Sequence, residues 1–214
     1  MSAHDLLPSG LGAAVEAASG ARITAVRPRG GGGASREGAE LDLAWPGGRT
    51  ASAYMNYDVH KAGAGDDAAF LREASILRAL SGPLADAGVR VAPYFASLPG
   101  QRALVCGLVA GRDRFGTIAD SAQRDRLAAD FMAQLAALHR IDVTATPIEG
   151  MGPVETPRLF IERRIAVLRQ ANSGRSWDPL IHLSLNWLEA NIPANLPPPV
   201  IVHGDAGPGN FLFD

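Results

Sequence analysis

Lysine is almost missing from this chain. Of the 20 basic residues in 214, one, Lys61, is lysine and the rest are arginine, so any chemistry that needs a lysine must use that one. Cysteine is as scarce. Cys106 stands alone, which excludes an intrachain disulfide and leaves one thiol in the apolar stretch ALVCGLV, read as a buried, inert side chain and not as a nucleophile or metal ligand. A positive charge excess is missing too. With 20 basic against 22 acidic residues and a pI near 6.2, the chain lacks the field that duplex nucleic acid or an anionic membrane demands. No nucleic-acid partner is expected. No apolar run approaches the ~20 residues that span a bilayer, and the N-terminus has neither the cationic start nor the continuous apolar core of a leader. Those absences predict no membrane partner and a cytoplasmic location, and they leave the oligomeric state unknown. What is present is 47% hydrophobic and 20% charged, the balance of a globular chain that buries a real core.

The pattern changes once along the chain. Residues 5–19 suit a short helix interrupted by Pro8, Gly10 and Gly12. From Arg22 come ITAVRP, a glycine run, an alternating stretch with Leu41 and Leu43 inward and Glu40 and Asp42 between, then Pro46-Gly47-Gly48 and TASAYMNY. That reads as an antiparallel meander of three strands. Asp66 or Asp67 then caps a helix with Phe70, Ala74, Leu77 and Leu80 at helical spacing and Gly82 as its stop. Strands are expected around 91–97 and 102–109. Beyond them the pattern is helical, over 121–140 with the stripe Leu127, Phe131, Leu135 and Leu138, then over 156–170 and 178–190. Strands first and helices later predict an α+β architecture of two parts, an N-terminal lobe over 1–112 and a helical lobe over 113–214.

The last stretch, VIVHGDAGPGNFLFD, reads as strand, polar loop, strand. Asp205 precedes Asn210 by five positions in that loop. A kinase catalytic loop needs those two groups, an aspartate that takes the proton of the attacking hydroxyl and an asparagine oxygen for a metal ion on the nucleotide phosphates. Gly204, Gly207 and Gly209 permit the turn. An ordinary turn is also built from Gly, Asp, Asn and Pro, but the Asp-to-Asn spacing, the preceding His-Gly and the two apolar flanks occur here together.

On these residues the chain resembles the aminoglycoside phosphotransferase family, kinase-like enzymes related to choline and homoserine kinases. Its H-G-D-x-x-x-x-N motif matches His203, Gly204, Asp205 and Asn210, and GGGGASRE, FLREASILRAL and FMAQLAALHRID are similar to its nucleotide loop, small-lobe helix and long helix, in order. The resemblance implies a protein-kinase-like two-lobe fold and transfer of the γ-phosphoryl of ATP, with GTP as the other candidate, to a hydroxyl of a small molecule. Asp205 would be the base, His203 would orient the loop, and Asn210 would hold Mg2+. Backbone N–H groups of Gly32, Gly33, Ala34 and Ser35 would approach the phosphates, with Glu73, Gly107 and Val109 completing the nucleotide side. The glycine run is not a dinucleotide fingerprint, because the segment after it alternates like a strand and opens no helix. Asp113, Arg114, Glu162 and Arg163 are candidates to line the acceptor side, whereas His139 and His182 read as packed or surface residues.

Two departures qualify the resemblance. Where the family pairs its helix glutamate with a lysine or arginine on the third strand, this chain places Asn56, so Glu73 is either that partner or a solvated acid beside Arg72. The family also continues past the closing motif with a second strand and an aspartate that is its principal metal ligand. The chain is therefore expected to be the N-terminal part of a longer protein, inactive by itself; a non-catalytic kinase-fold binding module is the alternative.

Overall fold

The computed structural model describes residues 3–29, 37–58, 67–173, 178–207 and 209–214. It is α+β, as expected, and packs as two compact units: Met1–His139 with Ile148–Gly152 and Val202–Asp214, and Arg140–Pro147 with Pro153–Ile201. No described helix is long and apolar enough to cross a membrane.

The first unit is built on a five-stranded antiparallel sheet. Strands β1 (Arg22–Arg29), β2 (Glu37–Ala44), β3 (Thr50–Tyr57), β4 (Tyr94–Leu98) and β5 (Ala103–Gly107) lie in the order β1-β2-β3-β5-β4. Period-two alternation sorts the faces. Leu41, Leu43, Ala53, Met55 and Val105 form one core face, closed by Leu11 and Val15 of α1 (Leu11–Ser19). The helix expected over 5–19 is split: Ala3–Leu6 is a 3-10 turn, and α1 starts only after Gly10, which is left-handed at φ 79°. Glu16 then ties α1 to the sheet, accepting from the Ile23 N–H at 2.8 Å. That hydrogen bond is the main reason its carboxyl is held below the ordinary range.

The second face of the sheet is divided. Over β4 and β5 it is apolar and covered by α2 (Ala68–Leu80), where Phe70 and Ala74 pack on Leu104 with Leu77, Tyr94 and Cys106 around them. Over β1 and β2 it is charged, with Arg27 bridging Asp42 at 2.8 Å and Glu40 at 3.2 Å, and Ser52 donating to Asp42 at 3.0 Å. Between the halves stand Tyr54 and Asn56 of β3. Asp67 occupies the N-cap position of α2 without capping it, because its carboxylate faces Arg102 at 3.3 Å. Helix α3 (Ser121–His139) belongs to the same unit, and Arg90 links it to the segment before β4 through Asp130 and through a 2.7 Å hydrogen bond from the Arg90 N–H to Gln134. Of its expected stripe only Leu138 is buried; Leu127, Phe131 and Leu135 are half-buried.

The second unit carries α4 (Pro157–Asn172) and α5 (Pro179–Ala190). Both begin with an oxygen-bearing cap followed by proline, the pairing that satisfies free N–H groups and presets φ. Thr156 Oγ1 accepts from the Leu159 N–H at 3.3 Å and Asp178 Oδ1 from that of Leu180 at 2.9 Å. Ile165 and Leu185 are buried between the helices, and Arg169 donates to Glu189 at 2.6 Å.

The strands expected around the closing loop do not form. Val200, Ile201 and Val202 have the composition of a strand, yet among the described residues no backbone ladder runs along them. Of Phe211–Phe213, expected as the second strand, only Phe213 pairs among the described residues, in one antiparallel bridge to Arg112. A strand exists only where a neighbour accepts its hydrogen bonds, and β-branched composition does not supply one.

Candidate functional site

The closing loop turns on two glycines, Gly204 at φ 84° and Gly209 at φ 94°, conformations that a side chain would strain. Between them the backbone folds tightly: the Gly207 N–H donates to the Asp205 carbonyl at 3.0 Å and the Asn210 N–H to that of Gly207 at 3.1 Å. Asn210 folds back across the turn, its Nδ2 donating to the Asp205 carbonyl at 2.9 Å. Asp205 and Asn210, five positions apart in sequence, thus share one small turn, both exposed, with His203 exposed just before it. Because the amide donates through nitrogen, its oxygen remains for another partner.

On the sheet, Asn56 lies opposite Gly38 of β2 and Leu104 of β5. Its Oδ1 is buried with no hydrogen-bond partner among the described residues, a condition that costs about 1–3 kcal/mol until a donor arrives. Its neighbour Tyr54 reaches over Gly38 so closely that a Cβ there would stand 2.2 Å from the phenol oxygen. Neither Tyr54 nor the buried Asp58 at the end of β3 was singled out in the sequence; spacing within one strand does not reveal what lies across the next. Glu73 is half-buried on α2, and its charge reaches β5. Burial first, and the Glu73 carboxylate after it, pushes the Cys106 thiol up to about 11, so the thiol stays protonated and inert at neutral pH.

Gly107 ends β5, its N–H donating to the Pro93 carbonyl at 2.7 Å, and a Cβ there would meet Pro93 at 2.9 Å. The Leu108 N–H donates to Ser52 at 2.9 Å, and Val109 lies past the ladder, 44% exposed. Gly32, Gly33, Ala34, Ser35 and Lys61 lie outside the described residues. Of the four acceptor-side candidates, Asp113 and Arg114 are exposed in the first unit. In the second, Glu162 is engaged by Arg158 at 2.8 Å and Arg163 by Glu155.

Could this chain's residues hold a metal and a nucleotide? Among the described residues no three His, Cys, Asp or Glu gather into a metal cage. The loop offers instead the exposed amide oxygen of Asn210, a hard donor of the kind that holds Mg2+ when phosphates and water complete its shell, with Asp205 on the same turn. The donor set fits a metal that arrives with a nucleotide.

The comparisons with known proteins agree with that geometry. Among curated proteins, none matches the chain. Among solved structures, a protein assigned as an aminoglycoside phosphotransferase from Ralstonia eutropha JMP134 superposes with a TM-score of 0.61 at 23% identity over 89% of this chain and 54% of its own. The apoenzyme of macrolide 2'-phosphotransferase MphH from Brachybacterium faecium does so with a TM-score of 0.57 at 16% identity over 94% of this chain and 66% of its own. The chain therefore spans between about half and two thirds of the length of these neighbours. Their likeness gives the fold, that of the kinase-like phosphotransferases. The model of the phosphotransferase enzyme family, APH, matches residues 59–214, most of the chain including the closing motif, and the chain belongs to that family.

Proposed function

We propose that the chain provides the nucleotide side and the catalytic loop of a phosphotransferase that moves the γ-phosphoryl of ATP, or of GTP, to a hydroxyl of a small molecule in the cytoplasm. The observation that carries this reading is the shared turn of Asp205 and Asn210. The proposal includes a nucleotide lobe over 1–112 and a helical lobe over 113–214. The whole activity belongs to the proposal as well, since the neighbours are longer than this chain.

In that reading Asp205 accepts the proton of the acceptor hydroxyl as its oxygen bonds to the γ-phosphorus, while the bond from that phosphorus to the bridging oxygen breaks and its electron pair leaves on the nucleoside diphosphate. Asn210 Oδ1 is the oxygen that would hold Mg2+, which, when bound, neutralises phosphate charge. Backbone N–H groups at 32–35 cradle the phosphates, and backbone at Gly107 and Val109 faces the base. His203 orients the loop. β3 carries neither lysine nor arginine, so charge near the α and β phosphates comes from Lys61, an arginine or the metal. The acceptor is a polyhydroxylated small molecule of the class named for the neighbours, an aminoglycoside or a macrolide.

The test is transfer from γ-labelled ATP to a panel of such alcohols. Asp205→Asn removes transfer and leaves nucleotide binding within about twofold; near-normal turnover in that variant removes Asp205 as the base. A second reading, a binding module without transfer, is favoured by Asn56 alone. Magnesium-dependent nucleotide binding with no transfer to any acceptor would select it.

A further inference from the structure

We propose that the bridge between Arg112 and Phe213 is a positioning device that sets the Asp205–Asn210 loop against the linker following β5; its catalytic consequence rests on the phosphotransferase reading above. The bridge consists of two hydrogen bonds, from the Arg112 N–H to the Phe213 carbonyl at 2.8 Å and from the Phe213 N–H to the Arg112 carbonyl at 3.0 Å. It lies three residues after Val109 and three after Asn210. Three residues span at most about 10 Å of extended chain, so linker backbone and loop amide are held within a short, defined reach of each other.

Two hydrogen bonds in isolation do not hold strands together in water. Here three features support them. Gly111, at φ 145°, lets the chains approach: a Cβ there would stand 3.1 Å from Leu212 Cβ and 3.2 Å from the Phe213 carbonyl oxygen. The Arg112 guanidinium lies 5.2 Å from the centre of the Phe213 ring, a cation–π contact. Phe211, the residue directly after Asn210, stacks on Phe131 of α3 with centroids 4.3 Å apart and planes 21° from parallel, while Phe115 meets Phe213 edge-on at 6.2 Å. The loop's own hydrogen bonds are short-range and exposed. The bridge and the ring stack therefore anchor it to the rest of the unit, and Phe211 and Gly111 act through Asn210 as positioning residues.

The test compares Gly111→Ala with Gly116→Ala, a site on the same segment with open space around it, and Phe211→Leu with Phe211→Tyr, which keeps the ring. Amide hydrogen exchange and NMR follow Phe213, Asp205, Gly207 and Asn210, and calorimetry follows ATP binding with and without magnesium. Gly111→Ala and Phe211→Leu should strip protection from the Phe213 amide, move the loop signals and weaken Mg·ATP binding about tenfold, with magnesium-free binding within about twofold. Gly116→Ala and Phe211→Tyr should behave as wild type, and the β2 and β3 amides should stay protected throughout. Loop signals and Mg·ATP affinity that respond equally to Gly111→Ala and Gly116→Ala, and equally to the two Phe211 variants, would overturn the proposal. If the wild-type chain binds no nucleotide while Gly111→Ala alone still moves the loop, the phosphotransferase reading falls and the mechanical coupling stands. Unchanged Mg·ATP affinity with the loop displaced removes the positioning role and leaves that reading intact.

Discussion

Replacing Phe70 with alanine tests how α2, and with it Glu73, is held on the sheet. Phe70 is 1% exposed and is the largest fully buried side chain of a cluster separate from the main core, with Ala74 and Leu104 buried beside it and Leu77, Tyr94 and Cys106 around them. Phe→Ala in a packed interior costs about 3–5 kcal/mol, the transfer of the ring plus the cavity it leaves. The cluster is small and its rim is half-buried, so the hole collapses in part and the lower end applies, about 3–4 kcal/mol. For a chain of this size that is a fall in Tm of about 6–16 °C. The neighbouring Leu71, 41% exposed, should cost under about 1 kcal/mol as alanine. Cys106 is an internal reporter. Burial is the first cause of its raised thiol pKa, so loosening α2 should let that value drop and speed alkylation of this one cysteine, while the β2 and β3 amides remain protected. A Phe70→Ala protein that melts like Leu71→Ala, or that leaves Cys106 as slow to label as in wild type, would refute the account of how α2 is docked.

Asn56→Arg or Asn56→Lys should strengthen nucleotide binding severalfold, about 1 kcal/mol at a partly exposed site, by placing a cation on the face shared with Glu73; calorimetry that shows no gain in a folded variant would place the charge requirement elsewhere. Acid should destabilise the first unit: Glu16 is held below its usual range chiefly by the Ile23 N–H, Glu40 by Arg29 and Asp42 by Arg27. Folded-state pKa values below the unfolded ones mean the contribution is complete above the unfolded pKa of about 4 and disappears as pH falls through the folded values. Tm should therefore drop below about pH 4, and Asp42→Asn should flatten that drop; an unchanged slope in the variant would exclude the Arg27–Asp42 pair as a source.

Much of this was legible in the sequence for identifiable reasons. Leu41 and Leu43 alternate with Glu40 and Asp42, and that period alone predicts which face of β2 is buried. The helices over 157–172 and 179–190 lie within two residues of expectation at each end because local signals mark them, Thr156-Pro157 and Asp178-Pro179 at their starts. What failed depended on contacts distant in sequence. Val200–Val202 reads like a strand but finds no ladder partner among the described residues, and Asp67 reads like a cap, but Arg102, 35 residues on, claims its carboxylate. The Asp205–Asn210 turn was visible as a motif, yet its link to Arg112 was not, since a bridge across about a hundred residues leaves no local periodicity. Likewise Tyr54 over Gly38 is a matter of register between β2 and β3, which composition does not encode.

The central claim is that Asp205 and Asn210 serve a magnesium–nucleotide complex with separate roles. Calorimetric titration of ATP into wild type, Asp205→Ala and Asn210→Ala, each with and without magnesium, tests it most directly. The account predicts that magnesium tightens binding to wild type, that Asn210→Ala loses most of that gain, and that Asp205→Ala keeps nucleotide binding. No ATP binding by wild type, or a magnesium effect indifferent to Asn210, would contradict it.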